Sequence, residues 1–160
     1  MFAESEDANV VAGLLKLWLR EYPDPLLTKD LYDMFICAAT FKEEKIIMAK
    51  LQQVLEFLPV ANLKILTVLF KLLKTVHEMS AVNKMHSDNL AIVFAPNILQ
   101  PKAEKMEDIV GLSIEDGPRA NKLVSMLIVN YDKIFSVPSI SPFFLLEIII
   151  FFFLLQLERL

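Results

Sequence analysis

At 160 residues the chain is one domain's worth, long enough to bury a core. Its net charge of −4 and pI near 5.2 argue against nonspecific nucleic-acid binding, which needs a basic surface. Three Gly exclude Gly-rich phosphate loops and flexible linkers, and a single Cys excludes an intramolecular disulfide or a Cys-based zinc site.

Apolar residues make up 55%, unevenly spread: five of the twelve Phe fall between Phe143 and Phe153, in a run reading FFLLEIIIFFFLLQL. The N-terminus, MFAESEDANV, has neither a basic n-region nor an apolar h-region. It predicts no secretory signal, and its acidity argues against a mitochondrial presequence. Cys37 in an apolar setting fits the reducing cytosol and reads as a small buried hydrophobe. These features predict a cytoplasmic protein.

The remaining pattern is helical. Residues 10–21 place Val10, Leu14 and Trp18 in one stripe with Val11, Leu15 and Leu19 beside it, and Lys16 and Arg20 share the polar edge. Pro23-Asp24-Pro25 stops that helix. Thr28 is a cap candidate for a second helix reaching Ala39. Thr40-Phe41-Lys42-Glu43 has the form of a capping box opening a third, with Ile46, Ile47, Leu51, Val54, Leu55 and Leu58 near its buried face. A long fourth helix over 60–79 carries Leu63, Leu66, Phe70, Leu73 and Val76 in register. Ser87 or Asp88 can cap a short, buried helix over 90–95, halted by Pro96. Residues 101–117 are charged, contain two Gly and lack a stripe, so they predict an exposed loop. Asp116 ahead of Pro118 then predicts a last helix over 118–135, with Leu123, Leu127, Tyr131 and Ile134 inward.

This is an all-α bundle over 1–135, a Ser/Pro linker over 136–142 and an apolar tail over 143–160. No Ser-His-Asp set, P-loop or paired catalytic carboxylates can be picked out. His77 and His86, nine residues apart, read as two ordinary imidazoles and lack metal-ligand spacing. Neither a metal nor a cofactor is expected.

Two segments carry a family resemblance. Residues 14–28 read LLKLWLREYPDPLLT, and residues 83–100 read NKMHSDNLAIVFAPNILQ. Together, and at this separation, they resemble the Rho GTPase-activating (RhoGAP) domain. The helix between them, NLKILTVLFKLLKTV, is similar to that family's intervening helix, and the resemblance covers about residues 7–135. The first block departs from the family pattern only by Tyr22 for Leu and Asp24 for Glu.

The resemblance implies a RhoGAP-like helical bundle that binds the GTP-bound form of a Rho-family GTPase (Rho, Rac or Cdc42-like) in signal transduction. Such a domain regulates the hydrolysis performed by its partner and has no substrate of its own. It further implies that Lys16 faces the GTPase, that Arg20 braces the finger loop and the interface, and that Asn97 hydrogen-bonds near the switch. Lys84 would touch an acidic surface of the partner. On the residues alone, Lys16 and Arg20 are also a pair of solvated helix charges, Asn97 a turn residue after Pro96, and Lys84 a solvated lysine. The family's arginine finger stands upstream of the first block in a Gly-x-aromatic-Arg loop. Arg20, Arg119 and Arg159 are the arginines present, and none has that context. The expectation is therefore a domain incomplete at its N-terminus, with no catalytic residue and weak or absent activation. A helical interaction protein or membrane-attached adaptor is the alternative.

For the tail three readings compete: a membrane anchor through 143–157, a helix packing on the bundle, or unselected sequence. Fifteen residues interrupted by Glu147 and Gln156 fall short of the ~20 a spanning helix needs.

Overall fold

The computed structural model describes residues 8–102 and 106–135, and those residues form eight helices with no strand among them. In chain order they are α1 (Ala8–Glu21), α2 (Tyr32–Thr40), α3 (Glu44–Leu55), α4 (Val60–Glu78), α5 (Ser80–Asn83), α6 (Ser87–Ile98), α7 (Met106–Val129) and α8 (Tyr131–Ile134). The 143–157 run and its proposed C-terminal helix lie outside the described residues.

The periodicities of the long helices translate directly into burial. On α4, Leu66, Phe70 and Leu73 face inward, with Leu63 and Val76 partly buried at the ends of the same stripe. On α7, Leu123, Val124, Leu127 and Ile128 form a continuous buried face. α7 packs along α6, on which Ala91 and Ala95, one turn apart, are buried small side chains. α7 also packs on α2 and α4, so it is the central strut of the bundle. Phe70 stacks on Phe135 with ring centroids 5.5 Å apart, joining α4 to the chain just beyond α8. Fully burying an aromatic of this size contributes about 2–3 kcal/mol.

Long-range polar bonds fix the ends of these helices. Lys122 on α7 donates its Nζ to the carbonyls of Ala39 (2.9 Å) and Phe41 (2.8 Å), placing a cation where the C-terminus of α2 exposes unpaired acceptors. Asn130, in the turn between α7 and α8, donates to Glu44 Oε1 at 3.0 Å and so docks the first turn of α3. Asp116, buried on α7, accepts from the Tyr32 hydroxyl at 3.2 Å and from Arg119 Nη1 at 2.6 Å. Burial first, and the Asp116 carboxylate second, push the Tyr32 phenol up to about 12.

Several local expectations are corrected. Thr28 is not a cap: it sits in the left-handed region (φ 56°), buried in a turn where its N–H donates to Pro25 O, and α2 begins four residues later. Thr40 does not open α3; its hydroxyl turns back to Cys37 O at 2.7 Å and finishes α2, while Glu43 precedes α3 without a side-chain cap. Ile46 is more than a third exposed, because the inward stripe of α3 runs through Ile47, Leu51, Val54 and Leu55. Cys37 is exposed on the outer side of α2. Pro96 does not halt α6, which continues to Ile98; the bond that proline cannot make would end on Ile92, an exposed residue one turn back. For the same reason α6 is not wholly buried: Ile92 and Pro96 look outward.

The largest correction concerns 101–117. Residues 106–117 are helical and continuous with the last helix, making α7 24 residues long with Pro118 inside it. Two Gly and a Pro lower the intrinsic helix propensity by several kcal/mol, which is why the segment looks like a loop on propensity alone. The packing of α7 along α6 and α2 overrides that preference.

Candidate functional site

The connection after α1 sets the geometry of the candidate site. Residues 22–31 turn sharply through Pro23 and Pro25 and send Leu26 and Leu27 into the core, both fully buried. Two bonds then hold this turn. Leu27 N–H donates to Ile98 O, at the end of α6, at 3.0 Å. Asn62, buried in the first turn of α4, donates Nδ2 to Leu26 O at 3.1 Å. α1 packs against α6, so its position is fixed both by side-chain contact and by this backbone clamp.

Asn62 is not among the candidate site residues that the sequence suggests. Its signal is nonetheless there: a polar residue in register with Leu66, Phe70 and Leu73 on the buried stripe of α4. A buried amide in that position requires a partner, and the partner is the turn that orients α1.

On α1 itself, three faces separate. Leu15, Trp18 and Leu19 turn toward the core, and Trp18 meets Tyr22 edge to face at 5.4 Å. Val10, Val11, Leu14 and Leu17 form an exposed apolar stripe, between 37% and 58% accessible. Lys16, half-buried, and Arg20, exposed, occupy the remaining edge one turn apart, a rise of about 6 Å. Neither forms an ion pair with any described carboxylate, whereas Lys74, Lys102 and Arg119 are all paired.

Asn97 lies in the last turn of α6, half-buried, and donates Nδ2 to Val93 O at 2.7 Å. It is thus a helical residue and not the turn residue that Pro96 suggests. The bond uses one amide hydrogen and leaves its carbonyl oxygen and second hydrogen available. The structure therefore brings Lys16, Arg20 and Asn97 onto two helices in mutual contact. Lys84 stands apart, three residues before the start of α6, at the opposite end of that helix from Asn97. It is exposed, takes a left-handed conformation (φ 62°) at the end of α5, and donates Nζ to Ala81 O at 2.8 Å.

An open groove of about 350 Å³ runs between α6 and α7, lined by Asp88, Ile92, Pro118, Asn121, Lys122, Ser125 and Met126. It includes none of the four candidate residues. Its carboxylate, Asp88, accepts from Ser125 Oγ at 2.8 Å, and its cation, Lys122, is engaged at the end of α2. No cluster of three or more metal-ligating side chains exists among the described residues. No helix among them is long and apolar enough to cross a membrane.

Comparison with known proteins places this geometry. A family model for the RhoGAP domain matches residues 2–103. The chain is 43% identical over 134 residues to Rho GTPase-activating protein gacY of Dictyostelium discoideum, covering 82% of this chain and 18% of that protein. It is 39% identical over 137 residues to Rho GTPase-activating protein 24 of Mus musculus, covering 84% and 18% respectively. The chain thus spans about a fifth of the length of these curated relatives. Its fold is similar to the crystal structure of the BH domain from Graf, the GTPase regulator associated with focal adhesion kinase. That match has a TM-score of 0.75 and 26% identity, over 85% of this chain and 70% of that one.

Proposed function

The chain belongs to the RhoGAP domain family, and from that premise we propose that its residues recognise the GTP-bound form of a Rho-family small GTPase through the α1 edge. The observation that carries this reading is the pair Lys16 and Arg20. Both lack a carboxylate partner within the described chain, both project from a helix clamped at its exit, and an apolar stripe lies beside them. Cations carried one turn apart on a clamped helix are presented from a set spacing, and they suit an acidic or phosphate-bearing surface. Asn97 adds a directional hydrogen bond from the neighbouring helix through its unused amide groups. Lys84, beyond the other end of α6, contributes long-range attraction to the same partner.

Recognition and acceleration are separable. An arginine that offsets charge on the transferring phosphoryl group is worth ~10³–10⁵ in rate, or about 4–7 kcal/mol. Arg119 is held by Asp116 through a 2.6 Å contact, and Arg20 projects from the last turn of a regular helix. Neither extends from a loop, and no arginine in the sequence stands in a Gly-x-Phe-Arg context. We infer that these residues bind and help order the GTPase switch while giving only marginal acceleration.

Single-turnover GTP hydrolysis by Rho, Rac and Cdc42 tests this. The 160-residue chain should raise the rate less than about tenfold, and a version extended upstream through a Gly-x-Phe-Arg loop should approach the full effect. Full acceleration by the short chain would overturn the placement of the catalytic charge. Absence of binding to any of the three, loaded with a GTP analogue, would favour a helical interaction protein with another partner.

A further inference from the structure

The N-terminus of α6 has an unusual cap. Its preceding residue, His86, has extended backbone and gives no side-chain hydrogen bond to the helix. The amide of Ser87 is instead satisfied from another helix: it donates to Nδ1 of His77, in the last turn of α4, at 3.0 Å. The two imidazole rings meet edge to face with centroids 6.4 Å apart. The intervening turn is fastened around this bond. Asn83 donates to Val76 O and accepts from Met85 N–H, both at 2.8 Å, and Asn89 donates to Lys84 O at 3.2 Å.

A histidine nitrogen accepts a hydrogen bond only when it carries no proton. The imidazole at position 77 is therefore neutral here, with its hydrogen on Nε2. We propose that His77 is a proton-sensitive positioning residue for α6: protonation at Nδ1 replaces its acceptor with a donor facing the Ser87 N–H and releases the first turn of the helix. The new cation would also face the positive end of the α6 dipole and stand next to the His86 ring.

The charged groups on the elements around this bond are few. On α4, Lys74 and Glu78 pair with each other, and Lys74 also pairs with Asp132 of α8. The α5 segment Ser80–Asn83 carries no charge. Lys84 and His86 lie in the turn, and Asp88 on α6 accepts from Ser125. Beyond Lys122, which is bound to α2, α7 has no charged side chain up to Val129. Histidine is the side chain whose charge ordinarily changes between pH 5 and 8, so the test spans that range. Because α6 also carries Asn97, its release would lower recognition at acidic pH; that consequence rests on the function proposed above, and the cap does not.

The test is NMR on the full chain with ¹⁵N-labelled histidine, together with amide exchange at Ser87. At pH 7.5, His77 should be the Nε2–H tautomer and the Ser87 amide should be protected. At pH 5.5, that protection, corrected for intrinsic exchange, should fall about 2- to 12-fold, the value of one net hydrogen bond. His77→Asn places an amide oxygen near the Nδ1 position and should keep Ser87 protected at both pH values, whereas His86→Asn should leave the pH response in place. An Nδ1–H tautomer at pH 7.5 would overturn the proposal. So would Ser87 protection that ignores pH in the wild type, or an unchanged pH response in His77→Asn. Affinity for a GTP-analogue-loaded GTPase that falls with pH in the wild type and not in His77→Asn would support the consequence for recognition; its failure with the Ser87 response intact would overturn only that consequence.

Discussion

Replacing Asn62 with alanine is the most informative stability experiment on this fold. The Asn62 amide is buried and donates to the carbonyl of Leu26, itself on a fully buried residue. Deleting the amide leaves that carbonyl without its donor in a place water does not readily reach. An orphaned buried acceptor costs about 1–3 kcal/mol, and the volume vacated by the amide adds to it, for a total of about 2–3 kcal/mol. The Leu27 N–H to Ile98 O bond persists and should keep the chain folded. For a domain of this size the loss corresponds to a Tm lowered by roughly 5–10 °C. Urea denaturation followed by circular dichroism measures it, with a lowered midpoint and an unchanged m-value expected. A loss under about 0.5 kcal/mol would refute the reasoning, because it would mean that the Leu26 carbonyl finds water and that Asn62 does not hold the α1 exit.

Three further outcomes follow from the same contacts. Lys122→Met removes both donors to the end of α2 and should cost about 1–2 kcal/mol in urea denaturation. Phe70→Ala, which empties a fully buried site and removes the stack on Phe135, should cost about 3–5 kcal/mol by the same assay. Tyr32, raised to about 12 by burial and by Asp116, binds its proton more tightly folded than unfolded. Its contribution is therefore complete below pH 10 and lost as the pH rises toward 12. Tyr32→Phe should flatten stability across that window and remove the highest-pH step of the phenolate absorbance titration, leaving the step of Tyr131, also raised by burial.

The helices that pack through one clean stripe were legible from residues alone. α4 and the second half of α7 are fixed by the spacing of Leu66, Phe70 and Leu73 and of Leu123 and Leu127, because burial of those side chains outweighs every local preference. Signals resting on a single local residue were less secure. Thr28 and Thr40 have the chemistry of caps, yet Thr28 is buried in a turn with its N–H on Pro25 O, and the Thr40 hydroxyl goes back to Cys37 O. Pro96 and Pro118 are exposed, so each interrupts one hydrogen bond on the wet side of its helix without ending it. Of the candidate residues, Lys16 and Arg20 could be placed on one edge by counting. That α1 packs against α6, with Asn97 in the last turn of α6, goes with contacts far apart in sequence, such as the bond from Leu27 N–H to Ile98 O, which no periodicity encodes. The His77–Ser87 cap, ten residues apart across a turn, was hidden for the same reason.

The account rests on recognition through the α1 edge, and one comparison tests it most directly. The affinity of the folded chain for a GTP-analogue-loaded Rho-family GTPase is measured for the wild type, Lys16→Glu and Lys50→Glu. Lys50 is exposed on α3, where it contacts Gln53, and it has the same charge without the position. Lys16→Glu should weaken binding by about tenfold or more, at least ~1.4 kcal/mol, while Lys50→Glu should stay within about twofold. Equal losses from the two reversals would mean that overall charge, and not the edge formed by Lys16 and Arg20, draws the partner, and would contradict the site assigned to α1.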